Sequence, residues 1–282
     1  HLAHAIAEQD DELVERFNYI VGKDLGEHFQ GSPGKFRAAG HNVVVGTYRP
    51  PLGADVAPLM IRFCDWMKET FRYEQGQQSF SDQVLQAILA HVYLAMIHPF
   101  GDGNGRTARL VEFYILLRAG LPDIASHILS NHYNDTRQEY YRQLDLCVRE
   151  RDLSGFMRYA VLGFRDGLKS VLDVVQRNLL ETSWQKLIYD ALDSKKAAGK
   201  TRAIVKRRRT LALQFPVDQW QTAEELIDSS GVLAREYASL SSTTLMRDLA
   251  ELQVLGLIIK DKDKYKGNID IMRGLMPLRK KK

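Results

Sequence analysis

Cysteine is nearly absent from these 282 residues: Cys64 and Cys147 are the only two. Both lie in apolar-patterned stretches, and neither belongs to a CxxC or other metal-ligand spacing. That excludes a disulfide framework and leads to the expectation of two buried thiols in a reducing, cytoplasmic setting. No uncharged apolar run approaches the roughly 18 residues that a membrane span needs, so no membrane partner is expected. The first twenty residues, HLAHAIAEQDDELVERFNYI, are acidic and helical in pattern, unlike a secretory signal. No internal repeat or low-complexity tract is apparent. What remains, 45% hydrophobic and 26% charged residues, is the balance of a globular chain with two or three cores.

The excess of positive charge is small overall, at a net +4, but it is concentrated. Residues 194–209, SKKAAGKTRAIVKRRR, carry eight basic side chains and no acid, and Arg279–Lys282 add four more. Without these two stretches the rest of the chain is net acidic. Such a run is either a solvated linker and tail or an electrostatic footprint for nucleic acid, which would need a reading element beside it.

Helical periodicity dominates. Asp11–Asp24 places Leu13, Phe17, Ile20 and Val21 on one face. Asn42–Tyr48 (NVVVGTY), closed by Arg49-Pro50-Pro51, reads as a small hairpin or flap. Val56–Phe71 is an amphipathic helix. Ser81 and Asp82 can cap the apolar helix VLQAILAHVYLAMI, which Pro99 ends near His98. Asn104 opens a helix that runs to a glycine stop at Gly120. Further helices are predicted over Asp135–Arg149, Leu153–Leu168 and Val171–Leu192. Beyond a boundary at 193–204 come a helix over Val205–Leu213, a capped helix Thr222–Ser229 and a helix Ser241–Gly256. Two short strands, LIIK and IDIM, flank the polar loop DKDKYKGN. That succession is the outline of a winged helix-turn-helix. The fold class expected is therefore mainly α, with domains at 1–192 and 205–282 joined by a basic linker.

The chemistry is concentrated in His98–Arg109, HPFGDGNGRTAR. Gly101, Gly103 and Gly105 let successive N–H groups point into one concavity, and the helix opening at Asn104 adds its free N–H groups and dipole. Arg106 and Arg109 oppose that dipole unless an anion is present, and a local rule broken at a glycine loop marks function. Asp102, a carboxylate inside an anion cradle, is reconciled by a Mg²⁺ bridging it to phosphates. His98 is the nearby group suited to take a proton at neutral pH.

This segment resembles the Fic/Doc family signature HPFxDGNGRxxR at all nine specified positions. The resemblance extends over about residues 12–168, where NVVVGTYRPP is similar to the family's target-positioning flap and DTRQEYYRQL to its later helix. It implies a helical Fic core and transfer of AMP from ATP to a hydroxyl side chain of a target protein. It further implies His98 as general base and Asp102 as Mg²⁺ ligand. Gly103, Asn104 and Gly105 would line the phosphate nest, and Arg106 and Arg109 would hold the β- and γ-phosphates. The target backbone would pair with Val43, Val44, Val45, Gly46 and Thr47 by strand addition. Gly105 matches AMP-transferring members; kinase-type members differ there. Tyr140 and Tyr141 are candidates for a base pocket. The inhibitory motif [ST]xxxE[GN] of many members has no match. Its nearest approach ends at Glu74-Gln75, so the expectation is that it lies upstream of His1.

Alternatives stay open at this stage: removal of AMP in the same fold, or a nucleotide-sensing regulator. The second domain would take DNA, with Lys206–Arg209 and Lys262, Lys264 and Lys266 on phosphates, or would dock a protein. A homodimer is also compatible.

Overall fold

In the computed structural model the residues described are 11–71, 79–196, 202–216 and 219–273. The stretch around Glu74-Gln75, residues 1–10, the middle of the basic linker and the Arg279–Lys282 tail lie outside them. Contacts divide the chain into two compact units, His1–Leu172 and Asp173–Lys282.

The first unit is built from helices. Asp11–Gly22 (α1) buries Val14, Asn18 and Gly22 as one i, i+4 ridge, the spacing at which helical side chains line up. Ile20, expected on the apolar face, is about half exposed, because the ridge that packs is centred on Asn18 rather than on the aliphatic residues beside it. Gly53–Thr70 (α2) and Phe80–Ile97 (α3) follow. The cap of α3 is Ser79, not Ser81: the Ser79 hydroxyl accepts from the Asp82 N–H while the Asp82 carboxylate accepts from the Ser79 N–H, a reciprocal arrangement that fixes the first turn.

Helix α3 is apolar on all sides and runs through the centre of the core, with Ala87, Ile88 and Val92 fully buried, as a helix without a polar face must. By length and composition it is also apolar enough to cross a membrane, although it carries Asp82 in its first turn; here half of it is buried in the fold. Asn104–Arg118 (α4) packs along it. At the end of α4 the Leu121 N–H bonds Leu116 O and the Gly120 N–H bonds Leu117 O, with Gly120 at φ 83°, so the glycine is required by a left-handed turn. Asp123–Ser126 (α5), Ile128–Asp135 (α6) and Arg137–Glu150 (α7) complete the layer. Cys64 and Cys147 are both buried and neither is in a disulfide.

Ser154–Lys196 (α8) is one helix of 43 residues, not the two helices predicted across Leu153–Leu192. It contributes Phe156, Ala160 and Phe164 to the first core and Trp184, Ile188 and Leu192 to the second. The division between units accordingly falls at 172/173, inside α8, and not in the basic stretch at 193–204.

The second unit continues with Arg202–Leu213 (α9), Gln221–Thr222 (β1), Ala223–Ser229 (α10), Gly231–Tyr237 (α11), Ser242–Val254 (α12), Ile258–Asp261 (β2), Lys264–Gly267 (β3) and Asp270–Arg273 (α13). The sheet is antiparallel in the order β1-β3-β2, with Ile258 opposite Gly267 and Gln221 opposite Tyr265. The strand expected at IDIM is the helix α13. Instead KYKG, taken as loop, is β3: Lys262 turns the chain at φ 54°, and the alternation sends Tyr265 into the core and Lys264 outward, a period of two in a very short run.

Candidate functional site

The site begins where α3 must stop. Pro99 cannot continue a helix, and His98 adopts a left-handed conformation, φ 53° and ψ 58°, unusual for a residue with a Cβ. Its N–H bonds Leu94 O at 3.0 Å, and its Nδ1 lies 3.3 Å from Ala95 O. A carbonyl only accepts, so Nδ1 carries the proton and Nε2 keeps its lone pair. Burial lowers the His98 pKa below 6.5; the Ala95 hydrogen bond and Asp102 oppose the shift, while Arg37 adds to it. The ring is thus neutral and basic at pH 7.

Phe100, almost fully buried, plugs the loop into the core against Phe36, with ring centroids 5.2 Å apart. Asn104 closes the loop: its Oδ1 accepts from the Phe100 N–H at 2.8 Å and its Nδ2 donates to Phe100 O at 2.9 Å. The side chain of Asn104 is therefore committed to the backbone, and its contribution to a nest is its main-chain N–H.

The three glycines serve three different ends. Gly103 needs its φ of 75°, with Phe29 also 3.0 Å from where a Cβ would be; at Gly101 a Cβ would meet Gln30 O at 2.8 Å. Gly105 has an ordinary helical backbone, and a Cβ there would meet nothing nearer than Arg109 Nη1 at 4.0 Å. Nothing in the protein requires glycine at 105. The start of α4 has no side-chain cap and no acidic residue in its first turn, so the N–H groups at that end remain for an anion.

Asp102 is held near this opening. Its Oδ2 accepts from the Gln30 N–H at 3.3 Å, its Oδ1 from the Gly103 N–H, and Arg106 Nη2 lies 3.7 Å from it. Arg106 also stands over the Phe29 ring at 6.0 Å. Asp102 would be the protein ligand of a Mg²⁺ bound together with phosphates, since a single carboxylate oxygen beside phosphate and water ligands suits that ion. Among the described residues no group of three or more His, Cys, Asp or Glu is placed to hold a metal by itself.

Beneath α4 lies a sealed polar cluster. His91 Nε2 is 3.0 Å from the Tyr140 hydroxyl, the Tyr133 hydroxyl donates to Glu112 Oε1 at 2.9 Å, and His91 Nδ1 is 3.5 Å from Glu112 Oε2. Burial first, and Arg109 second, push the His91 pKa down to about 3. Burial pushes the Glu112 carboxyl well up. Both are neutral in the fold. Of the two tyrosines proposed for a base pocket, Tyr140 belongs to this cluster, while Tyr141 is exposed beneath Arg137.

The flap is one bridge pair closed by a tight turn. Val45 and Tyr48 exchange both backbone hydrogen bonds, at 3.0 and 2.9 Å, around Gly46 (φ 58°) and Thr47. Val44 and Val45 are exposed, Val43 partly so. Two residues that sequence reasoning missed hold the assembly together. Asn18 on α1 donates to Asp102 O at 3.0 Å and Thr107 Oγ1 at 3.1 Å and accepts from the Gly34 N–H at 2.9 Å. Arg37 donates from Nε to His98 O at 2.9 Å. The signal for Asn18 was an amide within an apolar helix face; nothing local marked Arg37.

The Fic/DOC family model matches residues 9–116, the segment that holds the flap and the His98–Arg109 loop. Curated relatives include proteins named protein adenylyltransferase Fic from Culex quinquefasciatus, 36% identical over 156 residues, and from Drosophila willistoni, 39% identical over 126 residues. These matches take in 52% and 45% of this chain but only 28% and 22% of the relatives' own lengths. Among solved structures, Fic-1 from C. elegans is 25% identical, with a TM-score of 0.48 over 61% of this chain and 46% of its own.

Proposed function

We propose that the chain is a protein adenylyltransferase, moving AMP from ATP to a hydroxyl side chain of a target protein with release of pyrophosphate. The observation that carries this reading is the open space over Gly105 at an uncapped helix start, beside Arg106 and Arg109, in the same twelve-residue loop as a histidine whose pKa burial lowers. Phosphates fill such a space with charge-assisted hydrogen bonds to main-chain N–H groups and guanidiniums. His98 Nε2 takes the proton of the target hydroxyl. Its oxygen then bonds to the α-phosphorus as the bond to the pyrophosphate oxygen breaks. Mg²⁺, held by Asp102, would neutralise phosphate charge. The exposed segment Val43–Val45, beside the single Val45–Tyr48 bridge, supports docking of an extended target segment by strand addition, which would set the hydroxyl before the base.

Intact-mass measurement with ATP and Mg²⁺, beside His98→Ala, tests this. An AMP-sized increment on the protein or an added target, abolished by His98→Ala, is the expected result. A phosphate-sized increment would move the reading to a kinase, and ATP binding without transfer would favour a sensor.

The second unit reads as a winged helix in which α12 is the presented helix and β2–β3 the wing, on the strength of its element order. One observation favours a protein over DNA as its partner. Asp248 accepts from Arg207 Nε and Arg208 Nε, both at 2.7 Å, and Arg209 Nη2 is 2.6 Å from Asp193 while its guanidinium stands 4.3 Å over Tyr189. Three of the cations expected on phosphates are thus engaged internally. The exposed face of α12 offers Thr243, Met246, Ala250 and Val254 beside a single Arg247. Fluorescence anisotropy with duplex DNA at 50 and 200 mM salt decides the point: tight, steeply salt-dependent binding would overturn the protein reading.

A further inference from the structure

A helix C-terminus leaves four carbonyls without intrahelical partners, and at α3 the protein answers each of them. Leu94 O accepts the His98 N–H, and Ala95 O faces His98 Nδ1. Met96 O accepts the Tyr48 hydroxyl at 2.6 Å, and Ile97 O accepts Arg37 Nη2 at 3.5 Å. Two of the four partners therefore come from the segment that carries the flap.

Arg37 does more than cap. Its side chain is buried, and every hydrogen bond it makes goes to a main-chain carbonyl: Nε to His98 O at 2.9 Å, Nη1 to His41 O at 3.0 Å, and Nη2 to Pro51 O at 3.0 Å as well as to Ile97 O. Its own N–H bonds Pro99 O at 2.8 Å. A buried cation ordinarily needs a counter-charge. The partial negative charge at the end of α3 supplies one, so the guanidinium fits only while the helix end, His98 and the flap base keep this arrangement. His41 and Pro51 stand at the two ends of the flap. The planar fork of five donors is what lets one side chain reach all of these acceptors; an ammonium could not.

We propose that Arg37 is the positioning residue of this site, holding His98 in its left-handed conformation and tying both ends of the flap to it, so that a target strand docked on the flap is presented in register with the base. This rests on the adenylyltransferase reading of the site. Arg37 makes no contact with the Gly103–Arg109 cradle among its hydrogen bonds, so its role separates from nucleotide binding.

The test compares Arg37→Gln and Arg37→Lys with the parent in three measurements: ATP affinity by calorimetry, AMP transfer rate to a target, and hydrogen–deuterium exchange by mass spectrometry. For Arg37→Gln the expected result is ATP affinity within about threefold of the parent and a transfer rate down by about 100-fold, the scale of a small misplacement at the reacting groups. Exchange should rise in residues 41–51 and 98–103 and nowhere else. Arg37→Lys should recover part of the rate, because its ammonium still meets the helix end. The proposal fails if ATP affinity falls in step with the rate, if exchange rises throughout the unit, if neither segment changes, or if both variants lose cooperative unfolding. Should the parent transfer no AMP, the exchange and ATP measurements still decide for or against Arg37, and only the adenylyltransferase reading falls.

Discussion

Gly105→Ala should separate nucleotide binding from folding, because only a ligand has a use for the missing side chain. The backbone at 105 is helical, and the added methyl meets nothing closer than 4.0 Å. Replacing glycine by alanine at such a position stabilises by about 0.4–1 kcal/mol through the unfolded chain. That raises the melting temperature by about 1–4 °C for a unit of this size. The same methyl occupies the space from which a phosphate oxygen would approach the main-chain N–H groups. Loss of one charge-assisted hydrogen bond, about 1.5–3 kcal/mol, weakens ATP binding by roughly 10- to 150-fold. Calorimetric titration with ATP and a thermal melt on the same sample measure both. Gly103→Ala is the contrast: at φ 75° with Phe29 at 3.0 Å, it should lower the melting temperature. Unchanged ATP affinity in Gly105→Ala would refute the assignment of that space to phosphate, and a melting temperature several degrees lower would refute the claim that the fold does not need the glycine.

Two further outcomes follow from buried charge. Asp248→Ala leaves Arg207 and Arg208 beside Tyr237 without their carboxylate, and should destabilise the second unit by about 3–5 kcal/mol in urea unfolding; a loss under 1 kcal/mol would show that the pairs contribute little. Burial alone would raise the Asp248 pKa, but the arginine hydrogen bonds outweigh it and hold it below 3.8. Its stabilisation is therefore present above the ordinary carboxylate range and lost as pH falls through the depressed value. Glu112 has the opposite sign. Its raised pKa makes the unfolded state, where it ionises, increasingly favoured as pH rises above the ordinary glutamate range. Glu112→Gln keeps the acceptor for Tyr133 and should flatten that decline above the ordinary glutamate range; an unchanged pH profile of stability would mean that Glu112 is ionised in the fold.

How far the sequence could be read depended on where the determining interaction lies. Pro99, Asn104 and Gly120 set the ends of α3 and α4 within a turn of themselves, through a ring, an amide and a positive φ, and such effects are visible in a short window. So is the anion cradle, where Gly103, Gly105, Arg106 and Arg109 share one loop and one helical turn. The errors have the converse cause. Ser79 competes with Ser81 as a cap, and only the reciprocal bond with Asp82 decides. Across 168–171 nothing in the composition distinguishes a break from a continuous helix, and α8 runs through them unbroken. KYKG reads as polar because a single buried large side chain, Tyr265, is too little periodicity to register.

The particulars of the site show the same division. The sequence by itself determined that a histidine, a carboxylate, an uncapped glycine-rich helix start and two arginines lie within twelve residues, since the spacing of His98–Arg109 brings them together whatever the rest of the chain does. It could not determine what holds that loop in its working shape. Asn18 comes from 84 residues away to reach Asp102 O and Arg37 from 61 residues away to reach His98 O. The fate of Arg207 and Arg208 was likewise settled by Asp248, some 40 residues on. Hydrogen bonds and ion pairs between distant residues exist only once packing has brought the partners together. Tertiary structure alone therefore decided which polar side chains serve the ligand and which serve the fold.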